Sequence, residues 1–164
     1  QAIEFLRKKG LAAASKKASR EAKDGLVSAF ISPDGQIGVL VEVNCETDFG
    51  ARNEQFQAFV NDLALPVAAA SPSYVRREEI AEDVVAKERS IYEGQAKELG
   101  KPPAAWPKII EGKLEKFYQE NCLLEQAFIK DPSVVIKDLL AQQIAKIGEN
   151  MNVRRFTRFQ LGQA

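Results

Sequence analysis

The chain contains no histidine among its 164 residues. That absence removes Ser-His-Asp and Cys-His catalysis and the usual histidine-based metal sites. Cysteine is almost as scarce, with only Cys45 and Cys122, far apart in sequence. A disulfide scaffold needs more, and a zinc site needs paired ligands, so both read as free thiols of a reducing compartment. Net charge is missing too, with 23 basic against 23 acidic residues. No apolar run approaches the roughly 18 residues of a membrane-spanning helix. The most apolar window, Leu63 to Ala70, is short and contains Pro66. Neither G-x-x-x-x-G-K-[ST] nor G-x-G-x-x-G occurs, so there is no familiar phosphate cradle. The opening residues lack a charged-then-apolar leader, which predicts no secretion. The start at Gln1, inside an apparent amphipathic pattern, predicts a processed or trimmed piece. So little catalytic equipment favours a binding module without metal or cofactor over an enzyme.

What is present is enough for a core, since 45% of the residues are hydrophobic. Gln1 to Asp24 is rich in alanine, lysine and arginine, with seven basic against three acidic residues. Gly10 is expected to interrupt it, with Leu11 to Lys23 forming a second helix of high propensity. Gly25 to Ile31 and Gln36 to Asn44 predict two strands. Ser32-Pro33-Asp34-Gly35 between them is a strong turn signal, so the pair reads as a hairpin. Phe56, Phe59, Val60 and Leu63 recur at helical spacing from Asn53 to about Ala70, and Pro66 should kink or end that helix early. Arg76 to Gly94 reads as a charged helix, Pro107 onward as another, and Leu123 to Lys130 as extended. Val135 to Gly148 predicts a helix stopped by its glycine. Asn152 to Leu161 predicts a last strand, with Val153, Arg155, Thr157, Phe159 and Leu161 on one face. It should pair with the hairpin, because two strands alone are marginal. The expected fold class is α+β, with a small antiparallel three-stranded sheet packed against helices and an amino-terminal helical segment.

Asn44-Cys45-Glu46-Thr47-Asp48-Phe49 follows the second predicted strand, and Ala51-Arg52-Asn53-Glu54 opens the next helix. This stretch resembles the signature of the elongation factor Ts family, V-N-C-[EQ]-T-D-F-V-A-[RK]-N. Further matches follow in the same order. They are Leu6 to Gly10, Ser15 to Ala18, Glu111 to Leu114, Leu124 to Gln126, Ile147 to Asn150, Arg154 to Phe156, and Phe159 to Gly162. The sequence departs from the family at Gly50, where valine is usual, and at Ala127, where proline is usual. Pro66, Trp106 and Pro107 are also unusual in or beside family helices. The family's amino-terminal three-helix domain, similar to ubiquitin-associated domains, is nearly absent. Residues 1–24 therefore read as a linker and the remnant of that domain, and residues 25–164 as the family's core and dimerisation domain.

The resemblance implies a guanine-nucleotide exchange factor that binds elongation factor Tu carrying GDP and accelerates GDP release during translation. It implies no nucleotide site of its own, and with an acidic body and no long apolar run neither a nucleic-acid contact nor a membrane is expected. A single core unit implies the short form, working as a homodimer in a bacterial cytoplasm or an organelle matrix or stroma. Carried over residue by residue, Phe49 is the wedge that enters the partner, Asp48 its polar companion, and Ile147 and Gly148 a second contact. Asn44, Cys45, Thr47 and Arg52 support the motif. Without it, Phe49 would read as core, Asp48 as a helix N-terminal acceptor, Cys45 as a small buried residue, Ile147 as core and Gly148 as a helix stop. Trp106 reads as packing. Gly50 predicts a looser loop than the family's stiff valine gives, so Gly50→Val should improve exchange.

Two other readings compete. A basic nucleic-acid-binding module associated with the translation machinery would use the first segment and Arg154, Arg155 and Arg158, interleaved with Phe156 and Phe159. Against it, Gly25 to Glu149 holds 20 acidic and 13 basic residues, a repulsive body for phosphates. A carboxylate enzyme would use Glu46 and Asp48, but no pocket signature accompanies them.

Overall fold

The computed structural model describes residues 1–163. They fall into two compact units, Gln1–Ser71 with the chain from Gln126 onward, and the intervening Pro72–Glu125.

The first unit is built on a hairpin. Strands β1 (Asp24–Ile31) and β2 (Ile37–Cys45) pair antiparallel, as expected. The turn is closed by Asp34, whose carboxylate accepts from Ser32 Oγ at 2.5 Å and from the Gln36 amide at 3.1 Å. Those bonds hold its carboxyl below its ordinary pKa. A third strand, β5 (Met151–Gln160), adds antiparallel to β2, giving the order β1-β2-β5. The sequence and the structure therefore agree on an α+β fold with a three-stranded antiparallel sheet and an amino-terminal helix.

One face of the sheet is dry. Val39, Val41 and Val43 alternate along β2 and are buried, as is Val153 on β5. Helix α3 (Glu54–Ala70) covers them with Phe56, Val60, Leu63 and Val67. Each fully buried side chain of this size contributes roughly 1.5–3 kcal/mol. Asn53 starts the helix, its side-chain oxygen accepting from the Gln55 and Phe56 amides at 2.9 and 3.2 Å. Pro66, expected to kink or end α3, does not end it, and the helix continues to Ala70 as its spacing predicts. A mid-helix proline costs about 3 kcal/mol. Here Pro66 is itself buried, along with Leu63, Ala64, Val67 and Ala68 of the same helix, and that burial offsets the lost bond.

Strand β5 differs from its expected faces. Glu42 pairs with Arg155 but Val43 pairs with Val153, so Arg154 is an extra residue in a β-bulge. Val153 and Arg155 therefore lie on opposite faces. Past the bulge Phe156 and Arg158 join the helix-covered face, and Arg158 donates to the Ala68 carbonyl of α3 at 3.1 Å. Arg155, Thr157 and Phe159 turn to the uncovered face.

At the amino terminus, α1 (Ala2–Lys17) is one continuous helix where Gly10 was expected to divide it. Gly10 is buried against α6 (Ile136–Ile147), and Arg7 meets the buried Asp138 carboxylate at 2.9 Å. This contact holds the helix across a residue of low propensity. Ahead of α6, the segment expected to be extended is a single helical turn at Leu123–Glu125 followed by β3 (Ala127–Phe128). The latter pairs with β4 (Asp131–Val135).

The second unit is a helical hairpin of α4 (Glu82–Glu98) and α5 (Trp106–Asn121). The charged stretch expected to be helical from Arg76 begins instead with a tight turn at Arg77–Glu79. Arg77 lies 4.4 Å from the Tyr118 ring centre and bonds Glu115 and Glu125, which raise its pKa further. Trp106 is half-buried and donates to the Lys101 carbonyl at 2.8 Å.

Candidate functional site

Strand β2 ends at Cys45, and the chain turns through Glu46 and Thr47 into a four-residue helix, α2 (Asp48–Ala51). Thr47 is its cap. The Thr47 hydroxyl accepts from the Gly50 amide at 3.2 Å, and its carbonyl accepts from the Ala51 amide at 3.1 Å and from the Cys45 thiol at 3.2 Å. This turn sends Gly50 and Ala51 inward and Asp48 and Phe49 outward. Phe49 is 80% exposed. An aromatic ring left in water forgoes roughly 1.5–3 kcal/mol of burial. Asp48 meets Arg52 at 3.0 Å one turn on, an exposed pair of little stabilising value.

The second turn comes from the far end of the chain. Gly148 stops α6 in the left-handed conformation, with φ at 81°, and its amide donates to the Ile144 carbonyl at 2.9 Å. Glu149 and Asn150 then lead into β5, whose Met151 pairs with Cys45. Ile147 is half-buried and Gly148 exposed.

The two turns are joined by crossed side chains. Glu149 reaches across to Thr47, one carboxylate oxygen accepting its amide at 2.9 Å and the other its hydroxyl at 2.7 Å. In return Glu46 accepts the Asn150 amide at 2.6 Å. The Asn150 side chain donates to the Arg20 carbonyl at 2.7 Å, and Arg20 lies 3.5 Å from Glu46. Asp48, Phe49, Ile147 and Gly148 thus sit on adjacent turns that are hydrogen-bonded to one another.

The residues around this motif serve the turn. Asn44 lies in the ladder opposite Asn152 and donates to Glu42 at 3.3 Å. Cys45 is buried, and burial, with the Glu149 carboxylate nearby, pushes its thiol up to about 11. A neutral buried thiol is a packing group, not a nucleophile.

The model for elongation factor Ts matches residues 14–163 of this sequence. The elongation factor Ts of Carboxydothermus hydrogenoformans is 57% identical over 163 residues, covering 99% of this chain and 75% of its own. That of Geobacter sulfurreducens is 58% identical, covering 99% and 76%, and that of Thermodesulfovibrio yellowstonii 55%, covering 99% and 81%. The chain belongs to the elongation factor Ts family. It spans about three-quarters of the length of these relatives, and it is a translation elongation factor by family.

In this elongation factor Ts family member, Gly50 stands in a short helix and not in a loop. It is buried in α2 and its φ is not positive, so the backbone makes no special demand for glycine. A Cβ built there would lie 2.5 Å from one Glu149 carboxylate oxygen and 2.8 Å from the other. Glycine leaves the space that the Glu149 carboxylate occupies. Glu149 and its bonds to Thr47 are the part of the site that sequence reasoning missed. A glutamate following a helix-stop glycine carries no local sign of a partner 102 residues away.

Among the described residues, no cluster of three or more histidine, cysteine, aspartate or glutamate side chains could hold a metal ion. No described helix is long and apolar enough to cross a membrane.

Proposed function

We propose that this elongation factor Ts family member binds elongation factor Tu carrying GDP and promotes release of the nucleotide. Phe49 enters the partner, Asp48 accompanies it, and Ile147 and Gly148 make a second contact. The observation that carries the reading is a fully presented phenylalanine on a turn secured to the core. A single exposed apolar side chain is ordinary on a protein surface, but this one stands on the turn that matches the family signature and is hydrogen-bonded to the Ile147-Gly148 turn. Burial of that ring supplies roughly 1.5–3 kcal/mol, which can favour a partner state that holds magnesium and GDP poorly. The coupling is reciprocal, so GTP rebinding displaces the factor. On this reading the protein acts as an exchange factor and not as an enzyme.

The uncovered sheet face supports action as a homodimer. Val27, Ile31, Leu40 and Phe159 are exposed there, with Phe159 at 72%. A second copy laid on this face by a two-fold axis would bury the patch against itself. The cytoplasm of a bacterium is the setting proposed. The nucleic-acid reading is weaker, because Arg155 and Arg154 face Glu42 at 2.6 and 3.7 Å. Arg155 above all draws the Glu42 carboxyl below its ordinary pKa.

The experiment is release of fluorescent GDP from elongation factor Tu, with and without this chain and its Phe49→Ala variant. Acceleration by the chain that Phe49→Ala removes is the expected result. Unchanged release with the native chain refutes the function, and unchanged acceleration by Phe49→Ala refutes the wedge. Light scattering across a concentration series tests the dimer, which a monomer exchanging at full rate would exclude.

A further inference from the structure

We infer that Glu149 is a positioning residue, which fixes the Asp48-Phe49 turn to the Ile147-Gly148 turn so that the two reach a partner as one rigid surface. The inference rests on the proposed reading of Phe49 as a contact residue, and it goes beyond that reading by assigning the residue that aims it.

A four-residue helix cannot hold itself together. Nucleation is unfavourable, and isolated helices below about 12–15 residues are marginal even in favourable sequences. Helix α2 therefore takes its order from outside, and its exposed amino-terminal edge is tied down by Glu149. Both oxygens of that one carboxylate are spent on Thr47, the amide at 2.9 Å and the hydroxyl at 2.7 Å. The same hydroxyl accepts the Gly50 amide, so the bond network runs Glu149, Thr47, Gly50 and into the helix that carries Phe49. The missing side chain at Gly50 leaves room for the carboxylate, as the 2.5 Å approach of a built Cβ requires. Glu46 completes the exchange from the other side by accepting the Asn150 amide at 2.6 Å.

None of this holds up the core. The buried valines of β2 and their cover by α3 lie elsewhere in the unit, and the β2–β5 ladder closes without Glu149. Removing the carboxylate frees the Phe49 turn and leaves the sheet in place. A free turn must be ordered again at each binding event, and that entropy is subtracted from affinity.

The test compares the full chain with its Glu149→Ala, Glu149→Gln, Phe49→Ala and Phe49→Ala/Glu149→Ala variants. For each, GDP release from elongation factor Tu is measured against factor concentration, beside a thermal melt. Glu149→Ala is expected to raise the half-saturating concentration about tenfold, the scale of losing charge-assisted bonds and a preordered loop. Glu149→Gln keeps one acceptor oxygen and should fall between. In the Phe49→Ala background, Glu149→Ala should add less than about twofold, since there is no ring left to aim.

Native half-saturation in Glu149→Ala, with Phe49→Ala impaired, overturns the positioning role and spares the wedge. Losses that multiply in the double variant overturn it as well. Native behaviour of Phe49→Ala removes the wedge reading itself. A readout free of the partner covers poor folding of the alanine variant. Amide hydrogen exchange in Glu149→Gln should quicken at Thr47 to Ala51 and stay slow in β2, and unchanged protection at the turn overturns the inference.

Discussion

Replacing Gly50 by valine should harm this protein, although the family pattern carries valine there. The added Cβ falls 2.5 Å from a carboxylate oxygen of Glu149, well inside contact distance. The oxygen sits at the end of a flexible side chain, so the glutamate would give way before the backbone. Its two bonds to Thr47 would then lengthen or break. Hydrogen bonds to a charged group are worth about 1.5–3 kcal/mol when well shielded. Thr47 is exposed, so about 1 kcal/mol each is the better figure. Valine returns a few tenths of a kcal/mol through its higher helix propensity. The net cost is about 1–2 kcal/mol, concentrated in α2, and corresponds to a factor of roughly 5–30 in the population of the ordered turn. The assay is GDP release from elongation factor Tu, titrated with Gly50→Val in the native and in the Glu149→Ala background. Valine should cost several-fold in the first and almost nothing in the second, where no carboxylate is displaced. Equal or faster release by Gly50→Val, or the same loss in both backgrounds, would refute the argument.

Gly10→Ala should stabilise the chain by up to about 1 kcal/mol through helix propensity, because its added Cβ meets α6 at an ordinary 3.7 Å. Calorimetry should show a rise of about 2–4 °C, and a fall would mean that α1 and α6 cannot accept a methyl group. Phe49→Ala should melt within about a degree of the native chain, whereas a core phenylalanine would cost about 3–5 kcal/mol. Cys45 and Cys122 are buried, with thiols pushed from an ordinary 9.0 up to about 11, so both should resist alkylation at pH 8 until the chain unfolds. The unfolded chain then loses these protons first, so stability should be fully present below about pH 9 and decline toward pH 11.

The parts of the fold legible in the sequence were those set by short-range rules. The β1–β2 hairpin has a Ser-Pro-Asp-Gly turn, α3 has apolar residues at helical spacing after Asn53, and α6 ends on Gly148. The errors came where tertiary contacts outweighed a local preference. Gly10 was expected to divide its helix, yet it is buried in a continuous α1, and Pro66, expected to kink or end α3, does not end it. The extra residue at Arg154 was invisible because alternation along β5 looks regular until its partner strand is known. At the candidate site, the motif placed Asp48 and Phe49 together, but the tie between Thr47 and Glu149 depends on two turns meeting, which no window of sequence contains.

The same tie has a consequence for the timing of synthesis. Thr47 and Glu149 are 102 residues apart. At roughly 5–20 residues per second, a growing chain carries Phe49 for on the order of 5–20 s before Glu149 is made. During that interval the hairpin and α3 can form from local contacts, but α2 has no carboxylate beneath its first turn and β2 has no β5 beside it. Closing so long a loop comes late in folding. The nascent chain therefore shows an unanchored aromatic turn and an open strand edge until its last strand docks.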